Sequence, residues 1–105
     1  MARFSEDVHA DGRCVVRTAG DLDLAAVEEF TKVVRASLDR CTAVELDLGE
    51  VTFIDSSGLG ALVRLRKEAD RKDSSLHLIE VSAATNRLLQ LTGLTGHFDI
   101  RTRQP

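Results

Sequence analysis

At 105 residues and 11.5 kDa, with 43% hydrophobic and 30% charged residues, the chain has the makings of one domain, expected to span residues 1–105, and can bury a core without a metal or a disulfide. A formal net charge of −3 argues against a nucleic-acid partner, which selects for a basic stripe. No apolar run is long enough to span a bilayer, and the opening Met1-Ala2-Arg3-Phe4-Ser5-Glu6-Asp7 has no signal-peptide core, so a cytoplasmic protein without membrane insertion is expected.

In chain order, Asp11-Gly12 separates two strand-like runs, Phe4–His9 and Arg13–Thr18, and predicts a hairpin whose two turn residues both have positive φ. Val27, Phe30, Val34 and Leu38 then recur at helical intervals, with Asp23 ahead of them as N-cap. Val44, Leu46 and Leu48 alternate with Glu45 and Asp47, a strand with one buried face. Through Gly49-Glu50 it leads to Val51-Thr52-Phe53-Ile54, which reads as extended and buried. The next helix carries Leu59, Leu62, Val63 and Leu65 inward and leaves Arg64, Lys67, Asp70 and Arg71 outside. A strand at Leu76–Val81 follows, then a short helix capped by Ser82 and stopped at Gly93, and a last strand at His97–Arg101. Helices alternating with strands after an opening hairpin predict an α/β fold. Its mixed, mainly parallel sheet is covered by helices mainly on one face.

Few groups suggest chemistry. Cys14 and Cys41 are far apart in sequence and read as small buried hydrophobes. His9, His77 and His97 lack a second ligand at metal spacing, so no metal is expected, and Phe4, Phe30, Phe53 and Phe98 are assigned to the core. The densest polar motif is Asp55-Ser56-Ser57-Gly58-Leu59-Gly60, between the apolar strand and the apolar helix. It has no local histidine base, is not a Gly-x-Ser-x-Gly elbow, and lacks the lysine of a nucleotide-binding loop, so neither catalysis nor a cofactor is expected. Two readings remain. Asp55 or Ser56 caps the helix while Gly58 and Gly60 allow close approach to its neighbours. Alternatively, a hydroxyl displayed at a helix start, where unpaired N–H groups and the macrodipole favour negative charge, receives a phosphate.

Ala19-Gly20-Asp21-Leu22-Asp23, the block Val51 to Gly60, and Leu91-Thr92-Gly93-Leu94 closely resemble the signatures of the STAS domain family. They are most similar to those of single-domain bacterial anti-sigma factor antagonists (anti-anti-sigma factors). The match runs in order over roughly residues 12–101, and the Asp-Ser-Ser-Gly-Leu-Gly block is its most specific part. The resemblance implies a STAS fold and a phosphorylation-controlled partner switch. The unphosphorylated form binds a kinase-type anti-sigma factor of the GHKL class and frees a sigma factor. Phosphorylation of Ser56 ends binding, and a metal-dependent serine phosphatase restores it. The chain is then a substrate, with no direct contact to nucleic acid. It also implies a partner surface made of Asp21, Asp23, Asp55, Ser56, Ser57, Gly58, Leu59 and Gly60, with a regulatory role for Asp23. Two departures stand out: Asp21 replaces the glutamate usual in the first block, and the C-terminal helix that many members carry is absent. The alternative role within the family is that of an adaptor subunit of a membrane lipid-transport ATPase or of a sensory scaffold.

Overall fold

The computed structural model describes residues 1–101, so Pro105 lies outside the described residues. Strands β1 (Ala2–Val8) and β2 (Arg13–Leu22) form the opening hairpin, followed by α1 (Leu24–Arg40), β3 (Ala43–Ile54), α2 (Ser56–Arg71), β4 (Ser75–Ile79), α3 (Ala83–Thr92) and β5 (Ile100–Arg101). The sheet order is β1-β2-β3-β4-β5. β1 and β2 are antiparallel and every other pairing is parallel. This is the mixed α/β sheet that the sequence predicts.

The core is a single cluster joining Val16, Val44, Leu46, Leu48 and Leu78 of the sheet to Phe30 and Val34 of α1, Leu59, Leu62 and Leu65 of α2, and Leu89 of α3. All three helices therefore bury their apolar stripes against one face. The polar residues that alternate with this core lie on the other face. There Glu45 pairs with Arg13 and His77, and Asp47 with Arg17.

Several details depart from the sequence reading. The hairpin turn spans residues 9–12, closed by the Gly12 N–H donating to the His9 carbonyl, and only Gly12 has positive φ, at +89°. Four loop residues let a single glycine make the reversal, so Asp11 stays on the ordinary side of φ. The last strand starts later than expected, because residues 95–97 form a turn of 3₁₀ helix, and among the described residues Ile100–Arg101 pair with β4.

Cys14 and Cys41 are buried, as the composition suggests, but they are joined in a disulfide with Cα atoms 5.9 Å apart. The start of β2 runs beside the residue that caps the C-terminus of α1, a proximity that spacing along the chain does not reveal.

The largest correction concerns β3. Its register against β2 slips twice: Arg17 and Ala19 face Asp47 and Glu50, while Gly20 and Asp21 face Val51 and Phe53. Each slip places one extra residue in β3, and each such bulge resets which side chains point inward. The buried positions accordingly run Val44, Leu46, Leu48, Val51 and Ile54. Phe53 is turned out, 51% exposed, instead of filling the core.

Candidate functional site

The double slip in β3 aligns two helix starts. Leu22 and Ile54 are paired neighbours at the ends of β2 and β3, and in each strand the next residue is an aspartate that caps a helix. Asp23 Oδ1 accepts the Ala26 N–H at 3.2 Å, and Asp55 Oδ1 accepts the N–H groups of Ser57 and Gly58 at 3.0 and 3.1 Å. These caps satisfy donors that the first turn of a helix otherwise leaves unpaired. The N-termini of α1 and α2 thus open side by side at one end of the sheet.

Asp55 collects more donors than Asp23. It also takes the Ser57 hydroxyl and the N–H of Leu24 at the start of the neighbouring helix. Its carboxyl is held below the usual carboxylate range, first by the Ser57 hydroxyl and then by the Gly58 N–H, with the Ser57 and Leu24 N–H groups adding to the effect. A carboxylate serving several donors keeps its charge and fixes the geometry of the junction.

The two serines are consequently unequal. Ser57 is half-buried and spends its hydroxyl on Asp55, whereas Ser56, the first residue of α2, is exposed. The sequence alone separates them only through the family resemblance. Asp21 accepts from the Thr52 hydroxyl and pairs with the amino terminus, which places it at the same end of the sheet as Asp23 and Asp55. Leu59 points into the core and Gly58 is buried against the strand ends, so these two of the expected surface residues are withheld from a partner by the fold.

The glycines also divide. A Cβ on Gly58 would lie 2.4 Å from the Leu22 carbonyl oxygen and 3.0 Å from Ile54 Cγ1. This glycine therefore lets α2 start flush against the ends of β2 and β3. A Cβ on Gly60 would meet only the Arg64 guanidinium, at 3.3 Å. The expectation of close internal approach holds for Gly58 and fails for Gly60, which faces away from the sheet.

A family model for the STAS domain matches residues 4–104. The chain belongs to the STAS domain family. This STAS domain is 32% identical over 90 residues to an anti-sigma-B factor antagonist of Staphylococcus epidermidis, covering 85% of this chain and 83% of the relative. Among solved structures, an anti-sigma factor antagonist from Mycobacterium paratuberculosis superposes with a TM-score of 0.84 at 27% identity, over 95% of this chain and 85% of that one. The Bacillus cell fate determinant SpoIIAA in its phosphorylated form superposes with a TM-score of 0.76 at 22% identity, over 97% and 92% of the two chains, a likeness of fold.

Two large apolar residues at this end of the STAS domain escape a reading of the sequence: Leu24, 76% exposed, and Phe53. The two one-residue bulges in β3 cancel, so Phe53 keeps the outward parity of Glu45 and Asp47, a facing hidden by reading residues 51–54 as one uniformly buried run. Leu24 had a visible signal, since it directly follows the cap Asp23 and so begins the helix beyond the end of the strand.

Proposed function

We propose that this STAS domain is an anti-sigma factor antagonist whose partner binding is switched by phosphorylation of Ser56. The observation that carries the reading is the exposed Ser56 at the first position of α2, beside a Ser57 whose hydroxyl is engaged by Asp55. The curated relatives bear the antagonist's name and not an adaptor's, which favours the switch over the adaptor role.

The kinase is an anti-sigma factor of the GHKL class using ATP. The Ser56 oxygen attacks the γ-phosphorus, the bond from that phosphorus to the ADP oxygen breaks, and the hydroxyl proton passes to a base on the kinase. A metal-dependent phosphatase hydrolyses the phosphoserine. The STAS domain supplies an acceptor and a docking surface, with no catalytic group of its own.

Charge accounts for the switch. A phosphate brings about −1.5 to −2 charges at neutral pH. It would stand beside the Asp55 carboxylate, which already occupies the first donors of α2. Against an acidic group on the partner, a like charge roughly 5 Å away near a surface repels by about 3 kcal/mol before salt screening. A partner seated over Ser56 meets both that charge and the added bulk, and a loss of about 3 kcal/mol weakens affinity on the order of a hundredfold. The helices and sheet need not rearrange.

The test is incubation with a GHKL-type anti-sigma kinase from the same organism and Mg-ATP, followed by site mapping by mass spectrometry. Phosphate is expected on Ser56. Binding by Ser56→Ala is expected to match the unmodified protein, and Ser56→Asp to bind about tenfold or more weakly. Phosphate on Ser57 alone, or equal binding by the two variants, overturns the proposal.

A further inference from the structure

Resting on that reading, we infer that Gly60 is a partner-specificity residue, kept free of a side chain so that the kinase can lie against α2 while it reaches Ser56. The starting observation is that the fold gives Gly60 no reason to be glycine. Its φ lies outside the positive range, and an added Cβ would touch only the far end of the Arg64 side chain. It sits in the second turn of a 16-residue helix, where glycine is less favourable than alanine because it loses more backbone freedom on folding. Gly58, two residues earlier, has a full internal explanation in the Leu22 carbonyl. Gly60 has none, so the requirement lies outside the chain.

Helix geometry says where. Residues four apart share a face, with side-chain positions about 5–6 Å from one another, so position 60 stands directly behind Ser56. In a helix each Cα–Cβ bond tilts toward the N-terminus, and a methyl group at position 60 would lean toward the Ser56 hydroxyl. Phosphoryl transfer needs the reacting phosphorus within about 3–3.5 Å of that oxygen. An enzyme that reaches this distance along the outer face of α2 passes over position 60, and its loop backbone can approach closely only if nothing projects there. The occupant is a loop of the kinase, whose reaction brings it to the Ser56 hydroxyl.

The decisive variant is Gly60→Ala, measured in two ways. In the free protein, it is expected to raise Tm by about 4 °C, since alanine is the better helix former and only the flexible end of Arg64 has to give way. With the GHKL-type anti-sigma kinase and Mg-ATP, the same variant is expected to lose at least tenfold in kcat/KM for Ser56 phosphorylation, mainly through KM. A variant that melts below the unmodified protein would show that the fold needs the glycine, and one phosphorylated at the unmodified rate would show that the partner does not. Either result overturns the inference, as does an equal loss in Arg64→Ala alone, which would trace the effect to a displaced guanidinium. Failure of the unmodified chain to be phosphorylated at all would instead strike at the switch itself.

Discussion

The two strand–cap–helix units, β2–Asp23–α1 and β3–Asp55–α2, share a backbone and differ in what they do with it. Their caps have nearly the same conformation, φ −115° and ψ −175° at Asp23 against φ −114° and ψ −174° at Asp55. Yet the first unit begins its helix with Leu24 and the second with Ser56, and Asp55 gathers donors from both helices. Identical junction geometry can therefore present either an apolar contact or a phosphate acceptor, and the side chain at the first helical position decides which. The units also differ at their far ends. The first is closed by the Cys14–Cys41 disulfide, while the second relies on the Ser74 N–H donating to the Ala69 carbonyl and on Lys72 reaching Asp39.

Opening the disulfide should break this comparison most severely. Loop-closure entropy over a separation of 27 residues corresponds to about 3.5 kcal/mol at 25 °C. Urea unfolding with and without a reductant, or of the double variant Cys14→Ser/Cys41→Ser, should show a loss of that order. Ser56 lies at the opposite end of the sheet from this bond, so partner binding by the folded fraction should be unchanged. An unmoved urea midpoint would mean that the first unit gains nothing from its covalent closure.

Next in size is Gly58→Ala. The added methyl group cannot coexist with the Leu22 carbonyl oxygen at 2.4 Å, so the start of α2 must lift from both strand ends. A cost of about 3 kcal/mol is expected, as for overpacking where backbone has to move. A chemical denaturation midpoint within error of the unmodified protein would refute it. The contrast with the stabilising Gly60→Ala makes the pair a sharp internal control.

Much of this organisation was legible beforehand, and the exceptions share a cause. Asp23, Ser82 and Gly93 could be placed because caps are local chemistry, written in a few adjacent residues. The α1 and α2 stripes could be read because Phe30, Val34, Leu62 and Leu65 keep a helical period. Phe53 was misplaced because the stretch 51–54 reads as one apolar run, whereas the first bulge turns Val51 inward and the second restores the alternation that leaves Phe53 outside. The Cys14–Cys41 bond and the reach of Asp55 to Leu24 were invisible because each joins elements that only folding brings together. At the site, the motif revealed which residues matter, while the division of labour between Ser56 and Ser57, and between Gly58 and Gly60, needed coordinates.

Smaller effects compare the caps directly. Asp23→Ala removes the acceptor of one N–H and should cost about 1 kcal/mol, the usual worth of an N-cap. Asp55→Ala leaves the Ser57, Gly58 and Leu24 N–H groups and the Ser57 hydroxyl without their acceptor, and its thermal midpoint should fall clearly further. Equal midpoints for the two variants would show that the extra donors are idle.

The finest distinction is in pH. The folded protein holds the Asp55 carboxyl below its ordinary value, chiefly through the Ser57 hydroxyl, so the unfolded chain binds its proton first as pH falls. The resulting stabilisation is fully present above about 3.9, the carboxyl's unfolded value, and disappears as pH drops through the lower folded value. Asp55→Asn lacks a titrating group there, so the gap in Tm between it and the unmodified protein should be widest at neutral pH and close in acid. The carboxyls of Glu6, Glu68 and Asp99 are also lowered, but they are common to both proteins and cancel in the difference. Ser57→Ala should narrow the neutral gap, because it removes the largest contributor to the shift while leaving the backbone donors in place. A gap that stays constant from pH 7 down to pH 2 would mean that the charge on Asp55 contributes nothing to the junction, and that the cap acts through its hydrogen-bond geometry alone.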